Sequence, residues 1–148
     1  MYYRASVLAT MILRKQRLPR PAAAPRRSRV GMTSMVALVQ HPSGRGRRRR
    51  LSVLVDGGAI YTVLPAPVWK GLGLVPTRRA EFALADGTTV ARGLAEARFT
   101  IAGQTATSPV VCGEDRDSAL LGAVTLETLG LMLNPLSREL LPMRLLLA

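Results

Sequence analysis

The stretch Leu51-Ser52-Val53-Leu54-Val55-Asp56-Gly57-Gly58-Ala59, with Thr62-Val63-Leu64-Pro65 close behind it, decides how this chain reads. Five residues, nearly all apolar, predict a short strand buried on both faces. One acid and two glycines then break the strand. A second β-prone run resumes at Tyr61 and stops at Pro65, a residue suited to the first turn of a helix. Taken alone, Asp56-Gly57-Gly58 is a turn at a strand end.

Upstream, residues 35–39 are apolar and β-prone, and residues 40–44 contain the turn signals His41-Pro42-Ser43-Gly44. The run Arg45-Gly46-Arg47-Arg48-Arg49-Arg50 reads as a solvated basic loop, so the first two strands form a hairpin with a charged connection. Downstream, a short helix is predicted from Pro65 through Trp69 to Leu72, with Gly73 as a left-handed stop. Residues 81–84 and 88–91 flank Ala85-Asp86-Gly87, and Asp-Gly between β-prone runs is a strong hairpin signal. Residues 97–101 and 106–111 flank a further turn at Ala102-Gly103-Gln104. A strand ending at Leu120-Leu121-Gly122, a helix over 125–129 stopped by Gly130, and strands at 131–133 and 139–141 complete an all-β pattern with one or two short helices. The succession strand, Gly58-Ala59, helix, Leu72-Gly73-Leu74 is echoed by strand, Gly122-Ala123, helix, Leu129-Gly130-Leu131, which points to a duplicated β template.

This ordered series resembles the retropepsin-like (clan AA) aspartic proteases, and most closely their small microbial stand-alone type. The resemblance rests on Leu54-Val55-Asp56-Gly57-Gly58-Ala59 and Thr62-Val63-Leu64-Pro65, and continues through Leu84-Ala85-Asp86-Gly87, Leu120-Leu121-Gly122 and Leu129-Gly130-Leu131. It implies a retropepsin-like half-barrel whose active site lies on a homodimer two-fold axis. It also implies an aspartic endopeptidase with Asp56 as the one catalytic carboxylate of each chain. Gly57, Gly58, Ala59 and Thr62 would form the catalytic loop, supported by Leu120, Leu121 and Gly122. Ala85, Asp86, Gly87 and Thr88 would form the flap that closes over a peptide. Gly58 is expected to supply backbone torsions closed to other residues. The chain departs from the family at Gly57, where a Thr or Ser normally links the two catalytic loops through its hydroxyl, and at Asn134, where relatives often carry Asp. An inactive, dimerising or binding descendant of the same fold is therefore the alternative.

Composition fits one domain. The chain has 148 residues and is 48% apolar but only 4% aromatic, so its core must be aliphatic. The formal net charge of +12 is unevenly placed: thirteen of the 21 basic residues precede position 51, and none of the nine acidic ones does. Residues 1–31 read as a disordered Arg/Pro-rich extension or a mis-assigned start, and 32–148 as the domain. Net basicity of this kind does not itself argue for a nucleic-acid partner, and none is expected; a homodimer and a peptide substrate are. The basic run has no interleaved aromatics for stacking on bases. With one His and one Cys no metal cluster is expected, nor any cofactor. Cys112 reads as a buried structural thiol, and Tyr61 and Trp69 as packing residues, with substrate contact as the alternative. No stretch approaches the roughly 20 apolar residues of a membrane span, and a cytoplasmic protein is the expectation.

Overall fold

The computed structural model describes residues 32–84, 86–144 and 146–147. The extension predicted over 1–31 and the flap residue Ala85 lie outside the described residues. In chain order the elements are β1 (Thr33–Gln40), β2 (Arg48–Val55), β3 (Thr62–Leu64), α1 (Ala66–Gly71), β4 (Arg78–Ala83), β5 (Thr89–Ile101), β6 (Gln104–Cys112), β7 (Leu120–Leu121), α2 (Ala123–Thr128), β8 (Leu131–Leu133) and β9 (Leu140–Pro142).

Seven strands form one sheet in the order β1-β2-β7-β3-β6-β5-β4, and an additional β1–β5 pairing closes six of them into a ring. The closure gives each of those six a neighbour on both sides over part of its length, and β4 alone projects from the ring beside β5. β8 and β9 form a separate two-stranded ribbon.

Side chains alternate across each strand, and two apolar clusters result. Val39, Val53, Leu64, Phe99 and Leu121 belong to the larger one inside the ring. Val63, Leu94, Val111 and Leu120 form a smaller one, with Leu54, Tyr61 and Phe82 packed against it. β3 and β7 lie between the two, so their successive residues Val63/Leu64 and Leu120/Leu121 are buried on opposite faces. That explains the unbroken apolar runs. Each such Leu contributes roughly 1.5–3 kcal/mol by leaving water.

The helices are short and end alike. Leu72 and Leu129 keep right-handed torsions, and Gly73 (φ +69°) and Gly130 (φ +67°) then turn left-handed. The internal echo is thus real at the helix stops. In its first half the strand β3 and Pro65 stand between Gly58-Ala59 and α1, as the run resuming at Tyr61 predicts, whereas α2 follows Gly122 directly. Three expectations change. Arg48, Arg49 and Arg50 belong to β2 and pair with Gln40, Val39 and Leu38, so only residues 41–47 form the basic connection. Residues 89–91 of the first run and the whole run 97–101 belong to one 13-residue strand, β5, and Thr88 belongs to the turn before it. Gln104 pairs with Ile101, leaving Ala102 (φ +49°) and Gly103 (φ +78°) as a two-residue hairpin turn.

Candidate active site

Asp56 follows the last residue of β2 and is half-buried. β2 ends in parallel register with β7, Val55 opposite Leu121, and the Asp56 amide donates to the Leu121 carbonyl (3.0 Å). The chain then turns: the Ala59 amide donates back to the Asp56 carbonyl (3.1 Å), and the Gly58 amide donates to Asp56 Oδ1 (3.0 Å). Oδ2 has no hydrogen-bond partner among the described residues. Gly58 is not among the glycines with positive φ, so its part in this turn is the N–H it gives to the carboxylate, not the special torsion expected of it.

The loop after Asp56 is clamped by the start of α2. That helix has no side-chain cap; its first amides, Ala123 and Val124, donate to the carbonyls of Ala59 (2.8 Å) and Ile60 (3.0 Å). These would otherwise be orphan donors of a helix N-terminus. Gly122 lies against the loop so closely that a Cβ there would sit 2.4 Å from the Tyr61 carbonyl carbon. Its amide donates to Thr62 Oγ1 (3.0 Å). Thr62 Oγ1 is in turn 2.6 Å from Thr125 Oγ1, which is 2.9 Å from Ser108 Oγ. All three hydroxyl residues are buried, and a fully connected polar chain of this kind fixes one arrangement of the groups it joins. Of the residues expected to support the loop, Ala59 and Leu121 bond the Asp56 backbone, Leu120 pairs with Leu54 just before it, and Gly122 and Thr62 bond each other beside the loop. Ser108 and Thr125 were not singled out as site residues; the signal available was a hydroxyl interrupting an apolar strand or helix face.

Gly57 is exposed, and nothing lies within 4 Å of where its Cβ would be. A hydroxyl-bearing side chain fits there without collision.

Asp86, Gly87 and Thr88 lie at the tip of the β4–β5 hairpin. Gly87 has φ +85°, and its amide donates to the Leu84 carbonyl (3.0 Å). Asp86 Oδ1 accepts from the Thr88 hydroxyl (2.6 Å) and the Thr88 amide (2.9 Å). The Thr88 hydroxyl, then its amide, holds the Asp86 carboxyl below its ordinary value. Just below this tip Phe82 meets Tyr61 edge-on, with ring centroids 6.5 Å apart. The hairpin thus leans on the residue that ends the Asp56 loop.

Trp69 is a packing residue: half-buried, it rests on the main core and donates from Nε1 to the Gly113 carbonyl (2.9 Å). Cys112 is buried, and desolvation pushes its thiol upward, which makes it inert rather than nucleophilic. Among the described residues no group of three or more His, Cys, Asp or Glu is placed to hold a metal ion. Nor is any helix among them long and apolar enough to cross a membrane.

No protein-family model and no curated protein matches the chain. Solved structures do: 29 chains are similar. One is EIAV protease complexed with the inhibitor HBY-793, at 19% identity and a TM-score of 0.53, covering 70% of this chain and 93% of the other. The fold is retropepsin-like. The protease-reverse transcriptase of a foamy virus, solved with an RNA/DNA hybrid, shares the retropepsin-like fold at 14% identity and a TM-score of 0.50. That match covers 79% of this chain and 13% of the longer viral one.

Proposed function

We propose that this protein is an aspartic endopeptidase whose catalytic pair is Asp56 and Asp56 of the partner subunit in a symmetric homodimer. The observation that carries the proposal is the setting of Asp56. On a retropepsin-like fold, it is the one carboxylate at the end of a buried strand, in a loop clamped by the opposite half of the domain. One carboxylate is not enough for the chemistry. A water must lose a proton to one group while the scissile carbonyl gains a hydrogen bond from another. Two carboxylates about 3 Å apart repel by roughly 5 kcal/mol at an effective dielectric of 20, so the pair retains one proton in mild acid. The ionised member takes a proton from the water, and the protonated member stabilises the developing oxyanion. The pair titrates as a unit.

A two-fold axis through the loop supplies the second group without a second motif in the chain. Exposed apolar side chains on and beyond the β8–β9 ribbon, Met132, Leu136, Leu141, Leu146 and Leu147, give a second copy a surface to bury. The flap in this reading is the 84–88 tip, with Asp86 bracing the turn instead of taking part in the reaction.

The test is Asp56→Asn. The variant is expected to remain a dimer by sedimentation and to lose all pepstatin-sensitive cleavage of a denatured protein at acidic pH; cleavage equal to the parent's would remove Asp56 from the mechanism. The second reading, a dimerisation or binding module that keeps the fold without turnover, is favoured by Gly57, which has no hydroxyl to link two loops. It predicts no cleavage by the parent. Because a side chain fits at that position, Gly57→Thr is the matching experiment: restored or raised cleavage identifies the missing hydroxyl as the defect.

A further inference from the structure

The arginine run is not simply a loop. β1 pairs with β2 on one side and with β5 on the other, so Gln40 is directly opposite both Arg48 and Arg98. Arg98 is in turn opposite Thr107 of β6. Two residues along, Leu38 is opposite Arg50 and Thr100, and Thr100 is opposite Thr105. Two adjacent rows therefore run across four strands on the outer face of the ring: Arg48, Gln40, Arg98, Thr107 and Arg50, Leu38, Thr100, Thr105. Neighbouring strands are about 4.8 Å apart and alternate residues about 6.8 Å, so the backbone positions of the three arginines lie within roughly 12 Å of one another.

The connection that follows β1 adds two more cations. The Gln40 side-chain amide is buried and donates to the carbonyls of Gly44 (2.7 Å) and Gly46 (3.4 Å), which holds the segment bearing Arg45 and Arg47 over the same end. The Arg98 guanidinium lies against Gly44, where a Cβ would be 2.6 Å from its Nη1. Arg49 belongs elsewhere: it points to the opposite face, with Nη2 against Gly71 at the end of α1. None of Arg45, Arg47, Arg48, Arg50 and Arg98 has a carboxylate at ion-pair distance among the described residues, although Glu96 lies two residues before Arg98 on the same face of β5. All five are exposed.

We propose that this face of β2, β1, β5 and β6 binds the phosphate backbone of nucleic acid. Its donors are guanidiniums, whose planar fork suits phosphate oxygens, and threonine hydroxyls. Leu38 is its one apolar member and is half-buried, so the face offers no wedge for insertion into a bilayer. The rows contain no aromatic residue to stack on bases, so contact is with backbone and carries no sequence preference. The face and Asp56 occupy opposite ends of β2, with Arg48 about 26 Å and Arg50 about 20 Å of extended chain from it, so a bound strand leaves the carboxylate free.

The test uses the full 148-residue chain and fluorescence anisotropy with a labelled 20-nucleotide oligo-dT, alone and as a duplex with oligo-dA, between about 50 and 200 mM salt. The triple variant Arg48→Gln/Arg50→Gln/Arg98→Gln is expected to bind roughly tenfold or more weakly, and the slope of log affinity against log salt to become shallower by about 2 to 3. The charge-matched control Arg78→Gln/Arg79→Gln/Arg144→Gln is expected to keep the parent slope, as is Arg48→Lys/Arg50→Lys/Arg98→Lys. Every protein in the series carries the basic residues of 1–31, so a difference between them reports the face alone. Equal losses in the control and the triple Gln variant would reduce the effect to net charge and overturn the assignment. So would a Lys triple as weak as the Gln triple, absence of binding by the parent, or Arg-dependent capture on phosphatidylserine vesicles without binding to either oligonucleotide.

Discussion

Gly57 and Gly122 occupy equivalent-looking places in the sequence, each just past the apolar end of a strand, and the structure gives them opposite tolerances. A Cβ at Gly122 meets backbone at 2.4 Å, and backbone cannot swing aside as a flexible side chain does. Gly122→Ala is expected to destabilise the protein by about 1–3 kcal/mol in urea unfolding and to lower cleavage as the Asp56 loop is displaced. Gly57→Ala is expected to change stability by less than about 1 kcal/mol. Thr62→Val tests the hydroxyl chain. It keeps the shape but leaves the Gly122 amide and Thr125 Oγ1 short of a partner, a cost of about 1–3 kcal/mol. The turn at Asp56 was legible because an acid and two glycines interrupt an apolar run there. Ser108 and Thr125 were not, since a buried hydroxyl looks like any surface serine or threonine until its partner, 17 residues away, is in place.

At the scale of elements, the hairpin tip at 84–88 carries a pH dependence with a definite sign. The Asp86 carboxyl is held below its ordinary 3.8 by Thr88, so the folded tip favours the ionised form. Its bracing is present above that value and is lost as pH falls through the lower, folded one. The Thr88 amide resonance is expected to titrate with a midpoint below 3.8, and Thr88→Val to move the midpoint upward. A peptidase working in mild acid would therefore keep this turn closed. The β5–β6 turn offers a gain instead: Ala102 at φ +49° bears a left-handed torsion, and Ala102→Gly is expected to raise stability by about 1 kcal/mol in the same urea assay. Strand identities were largely readable from apolar runs, but strand ends were not. Arginines 48–50 look like loop, yet their amides and carbonyls pair with β1 as well as any others while the side chains stand in water. The interior of β5 looks weak because of Gly93, whose missing side chain makes room for Pro76: a Cβ there would be 2.8 Å from the proline Cβ. Such a close approach between distant segments has no local signal.

The whole molecule needs a second copy if the proposed chemistry is right, and dilution is the direct probe. Below the dimer dissociation constant, the cleavage rate is expected to fall with the square of protein concentration, in step with the dimer fraction from sedimentation. A specific activity that stays constant while the protein sediments as a monomer would mean the reaction does not use two Asp56 carboxylates. The ring of six strands was not deducible from sequence, because the β1–β5 contact that closes it depends on how far the sheet coils. The direct link from Asp56 to Leu121 spans 65 positions, and it has a temporal consequence. Synthesis runs from the amino end, so β2 exists well before its partner β7, and closing so long a loop is slow. A half-made chain therefore carries its acid on an unfastened loop, and under the proposed mechanism hydrolytic competence would be the last property this polypeptide acquires.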